Sequence, residues 1–131
     1  MTTIAVIPAY NEAPRLGTVL AALKPHVSHI VVVDDGSHDE THTVAQAECV
    51  HILRHQVNRG QGAALKTGTL AALRLGADII VHLDADGQHD PVSLATLLGP
   101  LERNESDIVY GSRFAGVEAE GMPLSRRALL K

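Results

Sequence analysis

The sequence predicts an α/β protein in which a mostly parallel sheet lies between two layers of helices, a three-layer α/β/α sandwich. Apolar runs of strand length recur along the chain and alternate with segments of helical periodicity. These runs are continuous stretches of Val and Ile, which is typical of parallel strands buried on both faces. With 131 residues, the chain can form one domain with a core but not two. We therefore treat residues 1–131 as a single domain.

The first strand and the first helix open the alternation. Proline is favoured in a first helical turn, so Pro14 indicates that a helix begins shortly after the first strand. Lys24 and Pro25 end that helix, because proline cannot continue it.

The apolar runs along the chain give five predicted strands, at residues 3–8, 29–34, 50–54, 78–83 and 107–111.

Three further helices are predicted between the later strands. Ser37 and Glu40 have the spacing of a capping box, which indicates the start of the second helix. The third helix is predicted from Gly62 to Leu75, where a glycine follows. Asp90 and Pro91 supply a cap and a first-turn proline for the fourth.

The composition excludes several classes of protein. A formal net charge of −4 and only three aromatic residues argue against nucleic-acid binding, which uses basic surfaces and stacking platforms. The single cysteine, Cys49, excludes an internal disulfide and is predicted to be a small buried side chain. The sequence starts on a strand-like run instead of a signal peptide, and no run is long enough to span a bilayer. We expect a cytoplasmic protein.

Two carboxylates follow the apolar run at residues 79–83. In an extended backbone, Asp84 and Asp86 point the same way while Ala85 points aside. Such a pair can hold Mg²⁺ or Mn²⁺, which take few protein carboxylates and complete their coordination with water and ligand phosphates. The alternative is a plain turn, because Asp and Gly are common where strands end.

A second acidic pair argues against the interpretation of Asp84 and Asp86 as plain turn residues. Asp34 and Asp35 follow another apolar run, at residues 30–33, and precede Gly36. In open parallel sheets, ligands bind outside the carboxyl ends of the strands. We therefore expect both acidic pairs to face one crevice.

Two loops could complete this crevice. After the first strand, Tyr10 could stack on a base and Glu12 could hydrogen-bond it, although a plain βα turn would look the same. Residues 58–67 form a glycine-bearing loop that opens a helix, where backbone amides favour anions. Leu65 stands where a Walker A loop needs glycine and where a dinucleotide fingerprint needs glycine or alanine. A dinucleotide site remains the minor alternative.

Basic residues near the C-terminal end are candidates for phosphate contacts. Arg113 follows the fifth predicted strand and could pair with a diphosphate. Residues 125–131 mix cationic and apolar side chains, which suits either a helix on an anionic membrane or a solvated helix end.

Eight histidines raise the question of a zinc site. His38 and His42 are four residues apart, as are His51 and His55, but there is no HExxH motif and only one cysteine. We therefore expect ordinary surface or packed histidines. His82, within a predicted strand, is expected in the core.

The motifs VIPAYNE, VVVDDGSHDET, NRGQGAALKTG, LDADGQHDP and GSRF, in this order, resemble those of family-2 inverting nucleotide-sugar glycosyltransferases with the GT-A fold. The forms DADGQH and GSRF are most similar to the branch that transfers a sugar to polyprenyl phosphate, the dolichyl-phosphate mannose synthase branch. The resemblance covers nearly the whole chain.

The resemblance implies a role for each motif. Residues that would surround the nucleoside are Pro8, Tyr10, Glu12, Val33 and Asp35. Residues that would hold Mg²⁺ or Mn²⁺ on the diphosphate are Asp84, Asp86 and Gln88, with Ala85 beside the donor. Arg113 and Arg127 would contact phosphate. Arg113, together with the cation held by Asp84 and Asp86, would stabilise the departing diphosphate.

The implied function is metal-dependent, inverting transfer of a sugar from GDP-mannose or a UDP-sugar to an acceptor, expected to be polyprenyl or dolichyl phosphate at the cytoplasmic face of a membrane. Family members continue beyond the length of this chain, so the expected domain lacks the C-terminal acceptor-binding part. One alternative is a non-catalytic nucleotide-sugar binding module, and the other is a dinucleotide-binding oxidoreductase domain. The sequence does not indicate an oligomeric state.

Overall fold

The structure is a computed structural model that describes residues 1–88 and 90–111. Its strands are β1 (Thr3–Ala9), β2 (His29–Asp34), β3 (His51–Arg54) and β4 (Ile79–His82). Its helices are α1 (Ala13–Leu23), which continues into a 3₁₀ turn at Lys24–His26, α2 (Thr41–Ala47), α3 (Gln61–Arg74) and α4 (Pro91–Glu102). Each described helix is too short or too polar to cross a membrane.

The four strands form one parallel sheet in the order β3-β2-β1-β4. From β1 the chain builds outward through β2 and β3 and then returns to the other side of β1 to form β4. The direction of building therefore reverses between β1 and β4. Ligands of open α/β sheets bind beside such a reversal, outside the carboxyl ends of the strands.

The central strands β1 and β2 are buried on both faces, as their continuous apolar runs predict, whereas β3 is mostly exposed. One face of the sheet packs against α3, and the other packs against α1, α2 and α4, so that the three-layer sandwich is confirmed. Alternate residues of β1 and β2 supply the two cores. The α3 side buries Ile4, Val6, Val31 and Val33, and the opposite side buries Ala5, Ile7, Ile30 and Val32.

Gly68 lets α3 approach the sheet closely. A Cβ atom at this position would lie 2.3 Å from Val6 Cγ1 and 3.1 Å from Val33 Cγ2. Only a residue without a side chain allows α3 to lie at this distance from β1 and β2. This contact sets the position of α3, whose first turn contributes to the site described below.

Three helices form close to their predicted bounds, but the second does not start as predicted. Asp90 caps α4 by accepting a hydrogen bond from the Val92 amide at 3.0 Å. The predicted capping box of α2 is wrong: the helix begins at Thr41, and its N-cap residue, Glu40, makes no side-chain cap. Ser37 Oγ instead accepts a hydrogen bond from the Asn11 amide at 2.9 Å, so this side chain holds the loop after β1.

The predicted fifth strand, at residues 107–111, is wrong. In the described part of the chain, this segment makes no backbone pairs with the sheet, whose last strand is β4. Ile108 is 69% exposed and Tyr110 is 85% exposed, so the apolar residues that suggested a strand are not buried. A strand needs a partner for its amides and carbonyls, and a local apolar pattern does not supply one.

Two predicted buried side chains are exposed. Cys49 lies in the turn after α2 with a φ of 54°, where its thiol is exposed. His82 is also exposed, at the end of β4, and its Nε2 lies 2.9 Å from the hydroxyl of Thr69 on α3. Both predictions are wrong because turns and strand ends leave side chains in solvent even within apolar sequence.

Candidate active site

A cavity of about 400 Å³ lies at the carboxyl ends of β1, β2 and β4. This volume is within the range of pockets that hold small ligands. The cavity is at the reversal between β1 and β4, where the topology places a ligand. Its wall is formed by Pro8, Ala9, Tyr10, Glu12, Asp35, Asn58, Gly60, Gln61, Ala64, Asp84, Ala85 and Asp86.

The turn after β4 presents two carboxylates to this cavity. The Leu83 amide still donates to the carbonyl of Val6, and beyond it the chain leaves the sheet. Leu83 and Ala85 are buried, whereas Asp84 is exposed and Asp86 partly exposed, so the side chains alternate in the predicted sense. Gly87, with a φ of 76°, then bends the chain away from the cavity.

Each carboxylate of this turn is oriented by a hydrogen bond. The Gln88 amide donates to Asp86 Oδ1 at 3.0 Å, within the turn itself. Gln61 Nε2, at the start of α3, donates to Asp84 Oδ1 at 2.9 Å. Sequence patterns do not predict this second contact, because it joins residues far apart in the chain. It makes the first residue of α3 a support for the acidic turn.

The acidic turn has the chemistry of a partial site for Mg²⁺ or Mn²⁺. Asp84 and Asp86 supply hard oxygen ligands on one wall of the cavity. Within residues 1–88 and 90–111, no group of three or more His, Cys, Asp or Glu is arranged to hold a metal alone. The donor set therefore fits a cation that is completed by water and by phosphates of a ligand.

Asp35 is held by the glycine-bearing loop that the sequence predicted to bind an anion. The carboxylate is only 4% exposed, and its two oxygens accept hydrogen bonds from the Arg59 and Gly60 amides, each at 2.9 Å. His55 Nδ1 lies 2.7 Å from Asp35 Oδ1. Burial raises the pKa of Asp35, but the hydrogen bonds from Arg59, His55 and Gly60 outweigh it and hold this pKa below its ordinary value.

Gly36 allows the loop to reach Asp35. It has a φ of 75°, and a Cβ atom there would lie 2.7 Å from both the Asn58 nitrogen and the Val57 carbonyl carbon. A side chain at Gly36 would therefore push the loop away and would also strain the backbone. The glycine after the two aspartates is thus required for the wall of the cavity.

Asp34 does not face the cavity, although it adjoins Asp35. It is fully buried, and its Oδ1 accepts a hydrogen bond from the Ser37 amide at 3.0 Å. Its Oδ2 has no hydrogen bond among the described residues, but Arg54 Nε lies 3.5 Å away. The expectation that both members of this acidic pair face the crevice is therefore wrong for Asp34, because successive residues point in opposite directions.

The loop after β1 brings an aromatic ring and a carboxylate to the cavity. Tyr10 is 43% exposed there. Glu12 Oε2 is paired with Arg15, whose Nη2 lies 2.6 Å and whose Nε lies 2.8 Å away. The Glu12 amide donates to Thr41 Oγ1 at 3.0 Å, which ties the loop to the start of α2.

The remaining candidate residues are not brought to this wall. The side chain of Val33 is fully buried in the core beneath α3. Gln88 follows the acidic turn but does not line the cavity. Arg113 and Arg127 lie outside the described residues.

Comparisons with known proteins agree with this arrangement. Residues 4–122 match the model of Glycosyl transferase family 2. A UDP-N-acetylglucosamine–dolichyl-phosphate N-acetylglucosaminyltransferase of Methanococcus voltae is 35% identical over 93% of this chain and 56% of its own length. A polyprenol monophosphomannose synthase of Mycolicibacterium smegmatis is 35% identical over 98% of this chain and 52% of its own length.

A solved structure has the same fold. Glucosyl-3-phosphoglycerate synthase from Mycobacterium tuberculosis, in complex with Mn²⁺, UDP and glucosyl-3-phosphoglycerate, superposes with a TM-score of 0.64. It is 29% identical, and the match covers 76% of this chain and 39% of that one. The predicted GT-A fold is thereby confirmed.

These matches do not favour the oxidoreductase alternative. The family match extends across most of the chain. The chain spans about half the length of the curated relatives it matches. It belongs to glycosyl transferase family 2.

Proposed function

We propose that this chain binds a nucleotide-diphosphate sugar, GDP-mannose or a UDP-sugar, in the 400 Å³ cavity, as the donor for inverting sugar transfer. The observation that carries the proposal is that the Asp84-Ala85-Asp86 turn and Asp35 line the same cavity. The fold neighbour in complex with Mn²⁺ and UDP supports the class of ligand. The proposed cation is Mg²⁺ or Mn²⁺.

The two sides of the cavity suit the two ends of such a donor. The nucleoside would lie near Tyr10, Asp35 and Glu12, where an aromatic ring and carboxylates can recognise a base and ribose. The diphosphate would lie near Asp84 and Asp86, which would hold the cation.

The chemistry of transfer needs negative charge to be stabilised. Sugar transfer leaves this charge on the departing nucleoside diphosphate, and a bound divalent cation neutralises charge of this kind. Asp84 and Asp86 would hold and orient that cation, with Gln61 fixing the Asp84 side chain. Arg113 remains a predicted second phosphate contact.

For the acceptor we propose polyprenyl phosphate at the cytoplasmic face of a membrane. Two similar proteins are named for dolichyl-phosphate and polyprenol acceptors, which supports this choice. A phosphate nucleophile is already anionic near neutral pH, so it needs little help from a general base. Attack from the face opposite the departing diphosphate would invert the anomeric configuration.

Thermal unfolding in the presence of GDP-mannose, UDP-glucose, UDP-GlcNAc and NADH, each with and without Mn²⁺, tests donor binding. A ligand that binds the native state raises Tm. We expect a nucleotide sugar to raise Tm more when Mn²⁺ is present. Asp86→Asn should abolish the metal-dependent part of this rise, because it removes a carboxylate ligand.

The matched control is Asp107→Asn, which changes an exposed carboxylate outside the cavity wall in the same way. It should keep the full rise in Tm. A rise with NADH alone, or an unchanged metal-dependent rise in Asp86→Asn, would contradict the proposal. Donor binding without formation of a polyprenyl-linked sugar would instead support a nucleotide-sugar binding module.

A further inference from the structure

His55 is a buried histidine with a partner on each ring nitrogen. It directly follows β3, is 8% exposed and does not line the cavity. Its Nδ1 lies 2.7 Å from Asp35 Oδ1, and its Nε2 lies 2.9 Å from Thr67 Oγ1 on α3. One imidazole therefore connects α3 to the carboxylate on the cavity wall.

The proton on Nδ1 follows from the partners of Asp35. An ionised carboxylate only accepts hydrogen bonds, so His55 Nδ1 must donate to Asp35 Oδ1. The Thr67 hydroxyl can either donate to Nε2 or accept from it. The His55 ring is thus the side-chain donor that reaches Asp35 from inside the protein, while the Arg59 and Gly60 amides reach it from the loop.

In this position His55 affects both Asp35 and the loop at residues 58–60. If the ring were absent, Asp35 Oδ1 would lose one of its two donors and the side chain could rotate away from the loop. The Arg59 amide would then lose its acceptor, and the Gly60 amide would keep only Asn58 Oδ1, at 3.1 Å. Asn58 and Gly60 line the cavity beside Asp35. A change at a residue outside the cavity would therefore alter the shape of the cavity.

We infer that His55 is a positioning residue for the donor site, which fixes Asp35 and, through it, the loop at residues 58–60. The inference rests on the proposed binding of a nucleotide sugar in this cavity. His55 acts through Asp35 and does not contact the ligand.

Substitutions at His55 separate this role from simple packing. Asn can present an amide donor to Asp35 where the histidine has Nδ1, whereas Gln places its amide farther out, where the histidine has Nε2. His55→Asn should therefore keep Asp35 and the loop in place, and His55→Gln and His55→Leu should release them. Thr67→Val should have an intermediate effect, because it removes only the outer contact of the ring.

A matched control, His82 at the end of β4, contacts the same helix. His82 Nε2 lies 2.9 Å from Thr69 Oγ1, which is also a histidine-to-threonine contact with α3, but His82 is exposed and does not line the cavity. His82→Leu removes a contact of the same kind without touching Asp35. It should leave the donor site unchanged.

The first measurement needs no ligand. Amide hydrogen exchange at Arg59 should be slow in the wild type, in His55→Asn and in His82→Leu, because the Asp35 carboxylate accepts the hydrogen bond of this amide. Gly60 is a less specific reporter, because its amide also donates to Asn58 Oδ1. Exchange at Arg59 should be at least tenfold faster in His55→Gln and His55→Leu. Equal exchange in the Asn and Gln variants would overturn the inference.

The second measurement is the Kd of UDP and of GDP for the same folded variants. Loss of one hydrogen bond to a charged group should weaken binding about tenfold in His55→Gln, with recovery in His55→Asn. Faster exchange without weaker binding would overturn the positioning role. If neither nucleotide binds the wild type, the proposed function fails, and the exchange experiment still decides whether His55 holds the loop. If His55→Leu does not fold, exchange and binding are compared between His55→Asn and His55→Gln.

Discussion

Asp34 and Asp35 show how adjacent residues of one type acquire different roles. The Asp34 carboxylate is buried beside Arg54 and the Ser37 amide, whereas the Asp35 carboxylate lies on the cavity wall beneath the loop amides. Asp34 is the last residue of β2 and Asp35 directly follows it, and side chains of successive residues in extended backbone point to opposite sides. One carboxylate is thus buried within the fold and the other shapes the site.

The lowered pKa of Asp35 predicts a specific dependence of stability on pH. A carboxyl group with a folded-state pKa below its ordinary value of 3.8 stabilises the protein above that value, and this stabilisation is lost as the pH falls through the folded-state pKa. Asp35→Asn removes the titrating group. The variant should be less stable than the wild type near neutral pH, by about 1 to 3 kcal/mol, because buried donors lose a charged acceptor.

Thermal unfolding between about pH 2 and pH 7 tests this expectation. The difference in Tm between the wild type and Asp35→Asn should be largest near neutral pH and should shrink in acid. Asp107→Asn, at an exposed carboxylate, should follow the wild type at every pH. A constant difference across the range would contradict the assigned role of Asp35.

At the scale of elements, α3 organises the site. Gly68 sets its distance from the sheet, Thr67 contacts His55, and Gln61 in its first turn contacts Asp84. The helix therefore connects the Asp35 side of the cavity to the acidic turn after β4. A displacement of α3 should change both sides together.

Gly68→Ala tests the close packing of α3. The added methyl group would overlap Val6 Cγ1, so we expect a loss of about 1 to 3 kcal/mol in the free energy of unfolding. Denaturant unfolding measures this loss. Val6→Ala should cost less stability in the Gly68→Ala chain than in the wild type, because the smaller side chain makes room for the methyl group.

Gly62→Ala is the matched control in the same helix. No atom lies within 4 Å of a Cβ built at Gly62, so alanine there should not destabilise the protein and should favour the helix by up to about 1 kcal/mol. An equal loss of stability at both glycines would mean that close packing at Gly68 is not the cause.

At the scale of the whole molecule, the sequence reveals the layers but not the order of the strands. Continuous apolar runs predict a buried parallel sheet, and the motifs at three strand ends predict one shared crevice. The partner of each strand depends on contacts between distant segments, which local periodicity does not encode. For the same reason, local periodicity wrongly predicts a strand at residues 107–111 and does not predict the contact between Gln61 and Asp84.

The Gln61 side chain donates to Asp84 in the acidic turn, so its substitution should affect that side of the site. Gln61→Ala removes the donor to Asp84 Oδ1, so we expect the Mn²⁺-dependent part of nucleotide-sugar binding to weaken about tenfold, with metal-free nucleotide binding unchanged. Isothermal titration with and without Mn²⁺ measures both. Gln46→Ala, at an exposed position of α2, is the control. Equal losses with and without metal would show that Gln61 does not act through Asp84.

The exposed thiol of Cys49 has a practical consequence. Cys49 lies before the amino end of β3, whereas the cavity lies at the carboxyl ends of the parallel strands. The thiol and the cavity are therefore at opposite ends of the strands. Cys49 is also the only cysteine in the chain. A maleimide reagent should therefore attach a fluorophore, or tether the protein to a sensor surface, at one defined point that leaves the mouth of the cavity open to ligands.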